Sequence, residues 1–167
     1  MGMDLIGRRL SSDELRAVRD DPTTVDGLLY GDLDHDDEEM PDPELDLGKS
    51  WHAIHYLLTG AAWEIGDGAA GAAILGGNEI GEDSGYGPAR VFDPESVRAI
   101  AAELDAMDAE TLRARFDPNA MAAAEIYPDL WAGGAAEFNG LAMQFAELQR
   151  FYWAAAQNGE AVLLAIC

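Results

Sequence analysis

Few of the 167 residues have the type and spacing to do chemistry, and His55 is the first of them. An imidazole titrates near neutral pH, so it can give or take a proton under physiological conditions. His55 stands one turn beyond Trp51, and Trp51, Ile54, His55 and Leu58 share one face at helical spacing. Two readings are open: an acid–base group, or a core histidine bonded to a backbone carbonyl or a buried carboxylate. His52 and His55, three residues apart, could share a metal on a helix. No cysteine is near and the His-Glu-x-x-His arrangement is absent, so no metal site is expected.

The second group is Glu125, Ile126, Tyr127 and Pro128 at the expected end of a helix. Tyr127 could offer its hydroxyl to a ligand, and Glu125 could be a buried carboxylate with a raised pKa. Alternatively, Glu125 pairs with Lys49 or Arg90, and Tyr127 packs with its hydroxyl satisfied. The catalytic candidates are therefore His55, Glu125 and Tyr127. The ligand-binding candidates are Lys49, Trp51, His55, Tyr86 and Tyr127. Their convergence would make a pocket with aromatic walls and a few polar groups.

Other chemistry is excluded by pattern. Gly66 to Gly71 satisfies Gly-x-Gly-x-x-Gly as a string but follows no β-branched strand, so it is no phosphate loop. Gly-x-Ser-x-Gly is absent, and Cys167 has no evident activating neighbour. No cofactor is implied.

The elements that must carry these residues follow from periodicity and caps. Gly2 to Leu10 reads as a strand. Ser11 and Glu14 have capping-box spacing, and Pro22 stops the helix they start. Lys49 to Leu58 reads as a helix ended by Gly60. Gly66 to Gly87 is rich in glycine and alanine and reads as turns and close backbone approaches. Asp93-Pro94 and Asp117-Pro118 are helix starts, and Asp108 caps a shorter helix through Arg115. The helix after Asp117 is expected to run through Ala124 and Glu125 until Pro128. Ala135 to Gln157 is the longest helix, with a seam of Phe138, Leu141, Phe145, Leu148, Tyr152 and Ala155. Ala161 to Cys167 is an unbroken apolar run, best read as a buried strand. The expected fold is α+β, with helices packed on a small sheet that holds the N- and C-terminal strands. One domain, 1–167, is expected.

The charge sets the partners. Thirty-two acidic residues face ten basic ones, Lys49 the sole lysine, for a net −22. Such a surface repels phosphate backbones and anionic membranes, so neither nucleic acid nor membrane is a partner, and a basic protein is favoured. Residues 31–48 form an acidic loop, expected to be mobile, in which Asp32, Asp34 and Asp36 alternate as in a calcium loop. The glycine position of that loop holds Asp37 and its closing position Pro43, so a dedicated calcium site is not expected. The lone cysteine and the absence of a signal-peptide pattern at the start point to the cytoplasm. The terminal apolar strand could pair across a dimer if it lies at a sheet edge. The oligomeric state is otherwise open.

Several segments carry a resemblance to a known family. They are the Met1-Gly2-Met3 start, Lys49 to Gly60, with the pattern Lys-x-Trp-x-x-x-His-x-x-Leu-Thr-Gly, Ala73 to Gly77, Tyr86 to Arg90, Met121 to Pro128 with its Glu-Ile-Tyr-Pro box, and Ala161 to Ala165. Together they resemble the YfbM-like family, a bacterial domain of unknown function, over nearly the whole chain. The acidic insert and His52 lie outside that pattern. The resemblance implies a single small α+β domain in a bacterial cytoplasm and implies no reaction. Two functions remain: a non-catalytic binding module with an acidic surface, or a small enzyme or ligand-binding protein using the region of Trp51, His55 and Tyr127.

Overall fold

The computed structural model describes residues 2–31, 43–128, 131 and 134–167. Its centre is an antiparallel sheet of five strands among the described residues, in the order β2-β1-β5-β4-β3. The strands are β1 (Leu5–Leu10), β2 (Leu45–Gly48), β3 (Asn78–Ile80), β4 (Ala89–Phe92) and β5 (Ala161–Ile166). The chain's two ends pair directly, with Leu5 opposite Ile166 and Leu10 opposite Ala161. On the other side of β5, Arg90 stands opposite Leu164 and Phe92 opposite Val162.

Alternation along β5 divides the core in two. Val162 and Leu164 pack with the larger helical layer, whereas Ala161, Leu163 and Ala165 pack on the opposite face. The smaller layer is the helix pair α1 (Ser12–Asp20) and α2 (Thr24–Tyr30), which brings Leu15, Val18, Val25 and Leu29 to that face. The larger layer holds α3 (Trp51–Thr59), α4 (Pro94–Asp105), α5 (Ala109–Arg115), α6 (Pro118–Ala123) and α7 (Ala135–Gln157). A strand covered on both faces needs apolar side chains at every position, which explains its unbroken run.

The local signals act as expected where caps decide. Ser11 and Glu14 form the capping box. Asp93 accepts from the Ser96 amide, Asp108 from Thr111, and Asp117 from Asn119 and Ala120. The α7 seam is buried throughout, and Phe151 joins it.

Three expectations are corrected. The acidic loop assigned to 31–48 ends sooner, because Leu45–Gly48 is strand β2 and buries Leu45 and Leu47. Residues 32–42, with the alternating Asp32, Asp34 and Asp36, lie outside the described residues. The helix expected through Glu125 stops at Ala123. Finally, β5 lies inside the sheet between β1 and β4, so it offers no edge to a second copy.

Candidate functional site

Helix α3 ends at Gly60, whose left-handed backbone turns the chain sharply. Thr59 secures the turn: its hydroxyl accepts from the Ala61 amide at 3.0 Å and donates to the His55 carbonyl at 2.9 Å. The chain then doubles back beside α3 and meets two buried histidines. His52 Nε2 donates to the Ala62 carbonyl at 2.9 Å, and His55 Nε2 donates to the Glu64 carbonyl at 3.0 Å. A carbonyl can only accept, so each ring carries its hydrogen on Nε2. The two bonds clamp the residues on either side of Trp63.

Trp63 is 62% exposed, yet it is held in place. Its ring lies over His52 at 4.5 Å between centroids, and His52 stacks on buried Trp51 at 4.9 Å. The three rings form a pile running from the core to the surface. A chain of hydrogen bonds closes behind it. Trp51 Nε1 donates to the Met3 carbonyl at 2.9 Å, and the Met3 amide donates to the Tyr127 hydroxyl at 3.0 Å. The Tyr127 amide then donates to His52 Nδ1 at 2.9 Å. Lys49 is exposed beside the same residues: a Cβ built on Gly2 would lie 3.0 Å from Lys49 Nζ and 3.5 Å from the Tyr127 hydroxyl.

The electrostatics follow from this wiring. Burial pushes the His55 pKa down from 6.5 to about 4, against a smaller opposing pull from the Glu64 carbonyl. Its Nδ1 is buried with no partner, so a second proton there would be a charge without an acceptor. Burial lowers the His52 pKa as well. Protonating His52 Nδ1 would also set one N–H against the Tyr127 N–H. Both imidazoles are thus held neutral, with Nε2 already bonded.

Of the residues marked from sequence, Trp51 and Tyr127 meet at Met3, with Lys49 beside Gly2 next to the Tyr127 hydroxyl. His55 is on the same helix but is directed at Glu64. Glu125 is exposed, so it is not the buried carboxylate considered above. Nor does it pair with Lys49 or Arg90. Arg90 donates to the Gly76 carbonyl at 3.2 Å and lies 3.5 Å from Glu79.

Glu125 has a backbone role. It stands at φ 56°, the left-handed position of a helix C-terminus where glycine is usual. The following Ile126 amide donates back to the Met121 carbonyl at 3.1 Å, and Ile126 is buried. Glu125→Gly removes the Cβ penalty and is expected to raise stability by up to about 1 kcal/mol, read as a higher urea midpoint with unchanged slope. A loss of stability would mean that the side chain has a contact of its own.

Tyr86 lies elsewhere, 40% exposed, on the rim of a hollow of about 280 Å³. The floor is apolar, made by Leu5, Ile74, Leu75 and Ile166. Trp63, Tyr86 and Arg90 also line it. Trp63, Arg90 and His52 were missed as site residues from sequence. The available signal was a lone tryptophan in a turn-rich stretch, just after a helix carrying two histidines. Among the described residues no group of three or more His, Cys, Asp or Glu side chains is placed to hold a metal ion. No helix among them is long and apolar enough to cross a membrane.

A family model described as a domain of unknown function, DUF1877, matches residues 1–165. No curated protein matches the chain. Among solved structures, the chain is similar to the crystal structure of a protein of unknown function, YfbM, from Escherichia coli. That likeness has a TM-score of 0.76 at 19% identity and covers 99% of each chain. At that identity it shows the fold alone, and neither description names a ligand, a reaction or a partner.

Proposed function

The chain belongs to the DUF1877 family, whose description states no activity, and we propose that it works by binding, as a non-catalytic interaction module for a basic protein in a bacterial cytoplasm. The observation that carries this reading is the clamp on Trp63. Two buried histidines spend their Nε2 hydrogens on the carbonyls flanking an indole that is 62% exposed. A large apolar side chain held rigidly in solvent suits an interface anchor, because little freedom is lost when a partner covers it. The net charge of −22 supplies long-range attraction for a cationic partner and discourages anionic ones. A basic toxin nuclease, met by this chain as an immunity protein, is a specific form of that partner.

The rival enzymatic reading needs a group free to move protons, and the wiring of His52 and His55 does not favour either as one. A second binding reading, for a small molecule, draws on the hollow beneath Trp63. The test is affinity capture from the host at about 50 and 500 mM salt, with wild-type protein and Trp63→Ala. A cationic protein retained at low salt, released at high salt and lost with Trp63→Ala supports the proposal, since rim charges act within a screening length of about 10 Å at 0.1 M. Retention of the same proteins by wild type and Trp63→Ala would overturn it.

A further inference from the structure

The hollow beneath Trp63 differs in character from the rest of this acidic molecule. None of the residues lining it is Asp or Glu, although the chain holds 32 of them, and its one charged member is Arg90. We infer that this hollow binds a small planar organic carboxylate, its apolar body stacked against Trp63 and its carboxylate paired with Arg90. The inference is independent of the basic partner, because it rests on the lining of the hollow and not on the outer charge.

The sheet explains the juxtaposition. Arg90 stands opposite Leu164, and Leu5 opposite Ile166, so this end of the sheet sets one guanidinium beside an apolar floor. The guanidinium has five N–H donors in a planar fork that suits a carboxylate. Two contacts occupy it: the Gly76 carbonyl at 3.2 Å and Glu79 at 3.5 Å. The Glu79 side chain is 61% exposed, so that pair is weak and open to exchange. A ligand carboxylate can take the place of Glu79 while the Gly76 bond continues to orient the fork. Trp63 supplies the wall, and it is already fixed by the ring pile and the two histidine bonds. The volume of about 280 Å³ lies just below the usual range for ligand sites, which limits the occupant to a single ring with a short arm. A cationic ligand is disfavoured, because an aromatic wall alone attracts cations but Arg90 lines the same space.

The probes are phenylacetate, its neutral amide phenylacetamide, and the cation phenethylamine, titrated into 15N-labelled protein. Phenylacetate is expected to bind with a Kd on the order of 100 µM. It should shift the Trp63 indole N–H and the amides of Leu75 and Arg90. The amide should bind at least tenfold more weakly and the amine more weakly still. Arg90→Gln should bring phenylacetate down to the affinity of the amide and leave the amide unchanged, which also shows that the variant is folded. Glu79→Gln should tighten phenylacetate two- to threefold by removing the competitor, and it decides the matter should Arg90→Gln fail to fold. The inference is overturned by any of three results: the amine binding best, no probe shifting these signals, or the acid-over-amide preference surviving in Arg90→Gln.

Discussion

His52→Phe is expected to lower stability by about 2–4 kcal/mol, because it strands a donor and an acceptor together. Phenylalanine preserves the ring and much of the stack between Trp51 and Trp63, so packing is largely retained. What goes is the bond to the Ala62 carbonyl and the bond from the Tyr127 amide, both 2.9 Å in the native protein. Each orphaned backbone group costs more than an ordinary hydrogen bond contributes, since it has given up water on folding. For a domain of this size the fall in Tm should be about 5–12 °C. His52→Gln keeps a donor near the Nε2 position and has no acceptor at the Nδ1 position, so it should recover roughly half of the loss. Urea denaturation of both variants reads the effect. A neutral result for His52→Phe would mean that the two His52 bonds do not contribute to stability.

The second large effect is a dependence of stability on pH that traces to His55. Its pKa is 6.5 when unfolded and about 4 when folded. Above pH 6.5 the ring is neutral in both states and the native protein has its full stability. Between pH 6.5 and about 4 only the unfolded chain takes up the proton, so stability falls as the pH falls. Below about 4 both states are protonated and this contribution levels off. A pKa displaced from 6.5 to about 4 corresponds to roughly 3 kcal/mol. His52 acts in the same direction. The capping carboxylates Asp93 and Asp108, also lowered, lose their contributions at more acid pH, below the usual 3.8. Relief of the net −22 works the opposite way as surface carboxylates protonate. The informative quantity is therefore the difference between wild type and His55→Gln, which keeps a donor for the Glu64 carbonyl and removes the titration. Between pH 7 and 4 the wild type should lose about 3 kcal/mol more than the variant. Parallel pH curves would show that the buried ring is not the cause.

Much of the fold was legible because the relevant physics is local. A capping aspartate followed by proline starts a helix almost wherever it occurs, and Asp93 and Asp117 did so. The run from Ala161 could be read as a buried strand because few other elements tolerate apolar side chains on every face. Strand β2 was hidden inside the acidic run: only Leu45 and Leu47 alternate there, and two residues make a faint pattern. Strands β3 and β4 have three and four residues, β3 between two glycines and β4 just after Gly87-Pro88, so they depend on their partners for definition. The end of α6 was overrun because the alanines before Glu125 favour helix, whereas burial of Ile126 decides where it turns.

The candidate site was legible in part. Trp51, His55 and Tyr127 share the helix face and box from which they were chosen, and Trp51 and Tyr127 meet through Met3. What no spacing could reveal is the return of the chain after Gly60. That return sets the Ala62 and Glu64 carbonyls against His52 and His55 and leaves Trp63 exposed between them. Side-chain bonds to the backbone of a returning loop leave no periodic trace in sequence.

His52 and His55 each bond a backbone carbonyl of the returning loop through Nε2, which fixes their tautomers. The most direct test is a long-range 1H–15N spectrum of the two imidazoles across pH 7.5 to 5. Both rings should be neutral at pH 7.5 and carry hydrogen on Nε2, and His55 should show no titration near 6.5. A His55 that carries its hydrogen on Nδ1, or that titrates near 6.5 as a freely exchanging acid–base group would, is not bonded to the Glu64 carbonyl as a structural clamp.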